Sequence, residues 1–280
     1  MDRRQIATAK RAFAWAPLAL VVVAALASLA PVYWMLMNSF QPNTATRTSP
    51  PAFYPTQFTL ENFTYLFGET PVLRWLGNSL FVSLVSASFV VYLSALAAFP
   101  LAKRRLPGAR LLFWIALVFM VVPREVYLVP LFIEMRNLHL TDNLWGLILP
   151  AVAWPFGVFL MRQFISTVPS ELFEAAQIDG ASSVRMFHQI LLPVVKPAVG
   201  ALAVFAFVHS WNDYIWQLIM ISSPNKRTLP LGVATLSEEL FTNYGYVLAA
   251  ASFGALPLLV IFVFFQRFFT SGLTVGAVKG

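Results

Sequence analysis

Long apolar runs, rather than short alternating segments, dominate this chain. A helix that crosses the hydrocarbon core of a bilayer needs about 20 apolar residues. Charge-free runs at Ala12–Met37, Leu80–Leu101, Leu144–Met161 and Val247–Phe265 meet or approach that length. A fifth, Ala198–Ile221, holds one acid, Asp213, and one histidine, His209. A sixth, Leu111–Phe132, is interrupted by Arg124 and Glu125. The pattern predicts one all-α integral membrane domain over 1–280, with six transmembrane helices near 12–37, 80–101, 111–132, 144–165, 198–221 and 247–265. The first run spans 26 residues. A cleavable signal has an apolar region of only about 7–15 residues, so this run reads as a retained span.

Composition agrees. Hydrophobic residues make up 59% of the 280 residues and charged residues 11%, against about 25% charged in soluble domains. Mean hydropathy is +0.72. Disorder, which requires low hydrophobicity and high charge, is excluded. The sequence contains no cysteine, which removes disulfides, thiol catalysis and thiolate-bound metals from consideration. His139, His188 and His209 fall on three different elements without metal-ligand spacing, so no metal site is predicted.

The net charge of +7 does not point to nucleic acid, because Lys and Arg collect at the ends of the apolar runs. With the N-terminus inside, 13 of them fall on inner segments and 6 on outer ones. This asymmetry places both termini in the cytoplasm of a multi-pass cell-membrane protein. Segment 166–197 is then cytoplasmic. Ser170 can cap a helix in which Leu172, Ala175, Ala176 and Asp179 share a face. Gly180 allows a sharp turn. A second helix begins near Ser182 or Ser183, with Val184, Phe187, His188 and Leu191 on one face, and Pro193 and Pro197 lead out of it.

Glu174-Ala175-Ala176, Asp179-Gly180-Ala181, Phe187, Ile190, Leu192-Pro193 and Pro197 follow the pattern E-A-A-x-x-D-G-A-x5-F-x-x-I-x-L-P-x3-P. This resembles the signature loop of inner-membrane permease subunits in binding-protein-dependent ABC importers. Asn78-Ser79, Trp211-Asn212-Asp213, Thr228-Leu229-Pro230-Leu231-Gly232 and the run from Gln266 to Gly280 are similar to the maltose-type carbohydrate-uptake branch. The resemblance implies a helix-turn-helix coupling loop between spans four and five that docks on a separate cytoplasmic ATPase dimer. Glu174 and Asp179 would face or brace that contact, Gly180 would form the turn, the Ala175–Ala176 face would allow close docking, and Ala181, Phe187, Ile190, Leu192 and Pro193 would complete the coupling loop. It further implies a second homologous permease, an extracytoplasmic solute-binding protein, and ATP with Mg bound by the partner ATPase and not by this chain.

The sequence holds no G-x-x-x-x-G-K-[ST] loop, so the chain is expected to be non-catalytic. For the translocation path the candidates are Arg124 and Glu125, together with Trp211, Asn212, Asp213 and Tyr214. Ionisable groups within spans are costly and usually face a cavity or a partner. The competing reading puts Asp213 near the outer interface in a structural pair. Trp211, Tyr214 and Trp216, amphipathic rings near this cluster in sequence, are the candidates for stacking on a sugar ring. Leu111–Val122 would make about 18 Å of helix, too short for a core of about 30 Å. That span is therefore either broken around an aqueous pathway, or begins earlier and exits obliquely. The alternative function is a stand-alone secondary transporter or channel for a small polar solute.

Overall fold

The computed structural model describes residues 3–46, 53–55, 57–103, 107–239 and 243–274. The described residues form helices and connecting turns, with no strand among them. Apart from single turns at Asn43–Thr46, Arg124–Tyr127 and Pro224–Lys226, the helices are α1 (Arg3–Asn38), α2 (Glu61–Glu69), α3 (Val72–Lys103), α4 (Ala109–Val121), α5 (Leu128–Asn137), α6 (Leu144–Val152), α7 (Pro155–Thr167), α8 (Glu171–Ile178), α9 (Ser183–Val194), α10 (Lys196–Trp211), α11 (Ile215–Met220), α12 (Leu229–Glu239) and α13 (Tyr244–Thr274). Parts of α1, α3 and α13 are each long and apolar enough to cross a membrane. Three bent pairs pass the same criterion, giving six spans when each pair counts as one.

The bends correct the sequence expectation in three places. The third span begins at Ala109 and stops at Val121; the next segment, Arg124–Asn137, turns away by 97°. Val122 and Pro123 are extended there, because a proline disfavours helix in the residue before it. The run 144–165, expected to be one helix, is two, bent by 42° where Trp154 precedes Pro155. The run 198–221 is helical only to Trp211 and resumes at Ile215, so Asn212, Asp213 and Tyr214 form a break. A further bend of 82° separates α9 from α10 just before Pro197.

The chain divides into two compact units, residues 1–70 with 235–253, and residues 71–234 with 254–280. In the first unit, Pro17–Asn38 exposes its apolar side chains, Leu20 by 71%. A polar knot closes its end. Asn62 is buried and its Nδ2 donates to the carbonyls of Ser39 and Gln41, each at 2.8 Å. Gly245 lies against Asn62, and Tyr65 stacks on Tyr246 with centroids 4.0 Å apart.

The second unit is built around α3, which packs most extensively on α7 and α10 and then on α6. Lipid supplies little drive for helix association, so close van der Waals packing between small residues has to do it. Accordingly, Ser83, Ser86, Ala87, Ser94, Ala95 and Ala98 are buried along α3. A Cβ on Gly157 of α7 would sit 2.3 Å from Ser94 Oγ, so the glycine permits that approach. At the opposite end of α3 from Lys103, Asn78 Nδ2 donates to the carbonyls of Asn225 and Arg227 (2.9 and 2.8 Å). There, too, Ser79 Oγ accepts from the Leu229 N–H at 2.7 Å, and Gly232 lies against the Trp75 ring. Two stretches that carried the family resemblance, 78–79 and 228–232, thus hold one another.

A hydrophobic core of Val82, Met135, Leu147, Ile148, Trp216, Met220, Ile221 and Leu231 joins α3 to the helices of the broken spans. Trp216 is fully buried and its Nε1–H donates to the Gly146 carbonyl at 3.0 Å. A Cβ at Gly146 would stand 2.3 Å from the Leu140 carbonyl oxygen, which is backbone and has no rotamer to yield. Gly146→Ala is therefore expected to destabilise the protein by about 1–3 kcal/mol, measured as a lowered melting temperature of the detergent-purified chain. An unchanged melting temperature would show that α6 can shift freely.

Candidate functional site

Three sites emerge from this framework. The first is the hairpin of α8 and α9. Ser170 precedes α8 without making a side-chain cap, contrary to the capping expectation. At the other end of α8 the Ala181 N–H donates to the Ala176 carbonyl (2.9 Å) and the Gly180 N–H to the Gln177 carbonyl (3.1 Å). This is the Schellman arrangement, which requires a left-handed residue after the helix. Gly180 supplies it with φ of 75°. Ser182 then caps α9, its Oγ accepting from the Arg185 N–H at 3.3 Å. The Asp179-Gly180-Ala181 sequence is thus a helix stop followed at once by a helix start.

The buried face of the hairpin differs from the one expected. Phe173 and Ala176 point inward, whereas Leu172, Ala175 and Asp179 are exposed, as is Glu174. In α9, Phe187 and Leu191 are buried as expected, but Val184 and His188 are exposed and Met186 is buried. The reason is a π-helical stretch at Met186–Leu191. Hydrogen bonds to the fifth residue widen the turn, so residues five apart share a face and the 3.6-residue period fails. Ile190 and Leu192 are half-buried, Ala181 likewise, and Pro193 is exposed. Phe99 of α3 meets Phe173 and Phe187, with centroids at 5.5 and 6.1 Å. The outer tip carries Ile178, 87% exposed, and Val184 beside Glu174 and Asp179. Sequence reasoning passed over Ile178 and grouped Val184 with Phe187 on one face; an apolar residue flanking each side of an exposed glycine turn could have signalled both as a pair.

The second site lies where spans three and five break. Arg124 Nη1 meets Asp213 Oδ2 at 2.6 Å, and both side chains are only partly exposed. Asp213 Oδ1 accepts from the Trp216 N–H at 3.4 Å, near the start of α11. The Arg124 guanidinium lies 5.7 Å from the Trp216 ring centroid. Charged groups at the two interruptions therefore neutralise each other. Glu125 and Asn212 are exposed and Tyr214 half-buried beside a cavity of about 590 Å³. Across the pair lies a second cavity of about 200 Å³, bounded in part by Tyr127, Trp154 and His209. His209 and Trp154 stack with centroids 4.7 Å apart. Trp211 is buried on Phe207, and Trp216 is buried in the core, so neither offers an open ring face within this chain. Trp154, absent from the sequence reading, does border the cavity. Among the described residues no group of His, Asp and Glu has the makings of a metal site.

The third site, Asp142, gave no sequence signal. It occupies the left-handed region (φ 50°) in the turn between α5 and α6. Its carboxylate accepts from the Ser222 and Ser223 N–H groups, the Ser223 hydroxyl and Lys226 Nζ, at 2.6–3.1 Å. Desolvation acts to raise its pKa, but these hydrogen bonds outweigh it and hold the carboxyl well below the usual carboxylate range. Asp142 thereby staples the loop after α11 to the turn before α6.

An all-helical, polytopic membrane transport subunit with broken spans and a glycine-turned hairpin is what this architecture defines. The chain belongs to the family of binding-protein-dependent transport system inner membrane components, matching it over residues 90–274. Among its relatives is the arabinooligosaccharides transport system permease protein AraQ of Halalkalibacterium halodurans, 36% identical over 253 residues, covering 89% of this chain and 91% of AraQ. The diacetylchitobiose uptake system permease protein DasC of Streptomyces coelicolor is 31% identical over 89% of this chain and 91% of its own. The sulfoquinovosyl glycerol transport system permease protein SmoH of Agrobacterium fabrum is 31% identical over 90% and 89%. The fold matches a chain of a solved bacterial ABC transporter involved in import of the acidic polysaccharide alginate, with a TM-score of 0.81. That chain is 21% identical, and the match covers 96% of this chain and 99% of the other.

Two outcomes are expected. Asp213→Asn should strand Arg124 and cost about 1–3 kcal/mol of stability, whereas Arg124→Met with Asp213→Leu should cost less than the sum of the two single changes; additive melting shifts would dissolve the pair. For Asp142, a depressed folded pKa contributes stability that is present above the unfolded value, about 3.9, and is lost as pH falls through the folded pKa. Asp142→Asn should cost about 1–2 kcal/mol at neutral pH. The melting-temperature gap to the parent should close as pH drops below about 4.

Proposed function

We propose that this chain is the non-catalytic permease subunit of an ATP-driven carbohydrate importer, working with a second homologous permease, a cytoplasmic ABC ATPase dimer and an extracytoplasmic solute-binding protein. The observation that carries the reading is the hairpin tip. Exposed apolar Ile178 and Val184 flank the Schellman turn at Gly180, and the acidic Glu174 and Asp179 are exposed on the same hairpin. An apolar centre rimmed by charge is the make-up of a docking surface. In this reading the ATPase holds ATP and Mg, both termini of the permease lie on the ATPase side, and the Lys and Arg asymmetry supports that orientation.

The solute path runs past the breaks in spans three and five. Arg124, Glu125, Asn212, Asp213 and Tyr214 bring donors and acceptors to one cavity, and such groups suit a polyhydroxylated solute. Non-helical backbone at membrane depth is tolerated where it lines a cavity or is buried in protein. The three related permeases described above take their names from arabinooligosaccharides, diacetylchitobiose and sulfoquinovosyl glycerol, all carbohydrate in character. That agreement supports a sugar or oligosaccharide as cargo, with the binding protein setting the choice.

The test is uptake of labelled arabino-oligosaccharide and diacetylchitobiose by vesicles holding the assembled complex. Uptake of at least one is expected to require ATP and the binding protein. Glu174→Lys should lower uptake at least about tenfold at normal complex abundance, because a reversed interfacial charge costs several kcal/mol. Uptake by the purified subunit alone, without any ATPase, would overturn the reading in favour of a stand-alone transporter.

A further inference from the structure

We propose that Lys103 is a positioning residue that locks the root of the hairpin to α3, so that the long helix receives the hairpin's movement directly. The proposal rests on the reading of the chain as an ATP-driven permease. Lys103 is the final residue of α3. Its Nζ donates to the Val168 carbonyl and, at 3.4 Å, to the Ser166 carbonyl. Both oxygens lie at the C-terminal end of α7, where carbonyls lack a following turn to bond them. The negative end of the helix dipole falls at the same place, so an ammonium group there is favoured twice over. Val168 is itself buried, and only Pro169 and Ser170 separate it from α8. The ammonium thus grips the residue from which the hairpin springs.

Two further contacts use the same side of α3. Phe99, four residues before Lys103, meets one phenylalanine from each arm, Phe173 and Phe187. Tyr92, seven residues before Phe99, packs edge-on against Phe187 at 5.9 Å, and its hydroxyl lies 3.3 Å from His188 Nε2. Spacings of four and seven keep the three side chains on one helical face. The chain's own joints are looser connections. Val168 is extended at one end of the hairpin, and the backbone bends by 82° between α9 and α10 at the other. The rings resist motion towards α3, but apolar contacts are non-directional and allow sliding along it. Lys103 is the directional, charge-assisted contact at the root of the hairpin, whereas the Tyr92–His188 hydrogen bond is a neutral one on the second arm.

The experiment uses the full chain assembled with its second permease, ATPase dimer and binding protein in vesicles. It measures oligosaccharide moved per ATP hydrolysed, using whichever of arabino-oligosaccharide and diacetylchitobiose the parent carries, and the stimulation of ATP hydrolysis by loaded binding protein. Lys103→Met should lower the transport-to-ATP ratio about tenfold, the scale of one charge-assisted hydrogen bond, at unchanged complex abundance. Lys103→Arg, which keeps a donating cation, should restore the ratio to within about twofold. A parent-like ratio in Lys103→Met overturns the proposal. So does a transport loss that merely follows lost complex, or a Lys103→Arg variant as uncoupled as Lys103→Met. A parent complex that transports without ATP overturns the functional reading and this proposal together, whereas the other outcomes leave that reading standing.

Discussion

In a bilayer no water waits to bond an opened helix turn, and the second unit of this protein is organised by that constraint. It keeps one helix, α3, continuous over 32 residues and packs interrupted spans around it. Small side chains on α3 let those neighbours approach closely, as at Ser94 and Gly157. The continuous helix supplies a fixed reference, and the interruptions supply backbone polar groups and charged side chains within the apolar runs. Function in a transporter needs both.

The interruptions are not scattered. Those in spans three and five face each other through Arg124 and Asp213, while the one in span four brings Trp154 onto His209. Each charge would be costly alone in a low-dielectric setting; paired, they become tolerable and define the boundary between two cavities. The backbone N–H of Trp216 bonds the free oxygen of Asp213, and its indole N–H bonds Gly146, so the pair is tied into the core. A shift of α11 would therefore be felt at the ion pair and in α6 alike.

At the other end of α3 the hairpin obeys a different economy. Its two helices are too short to hold themselves, and isolated helices below about 12–15 residues are marginal in water. Three things make them stand: the Schellman turn at Gly180, the Ser182 cap, and the aromatic platform of Tyr92 and Phe99. The exposed tip, with Ile178 and Val184 left bare, is the part not satisfied within this chain.

Much of this was legible from residues in order. The apolar runs showed a six-span membrane protein, the charges Arg124 and Glu125 after an over-short run showed that span three was abnormal, and Asp179-Gly180-Ala181 marked the hairpin turn, because hydrophobic period, helix rise and glycine freedom are all local properties. Tertiary structure alone decided the rest. The partnership of Arg124 with Asp213 joins residues 89 positions apart. The staple at Asp142 depends on a loop 80 residues later. The π-helical stretch at Met186–Leu191, where Phe187 packs on Tyr92 and Phe99, departs from the ordinary helical period. Charge pairing, backbone capping across loops and ring packing depend on distance in space, and separation along the chain carries no record of that distance.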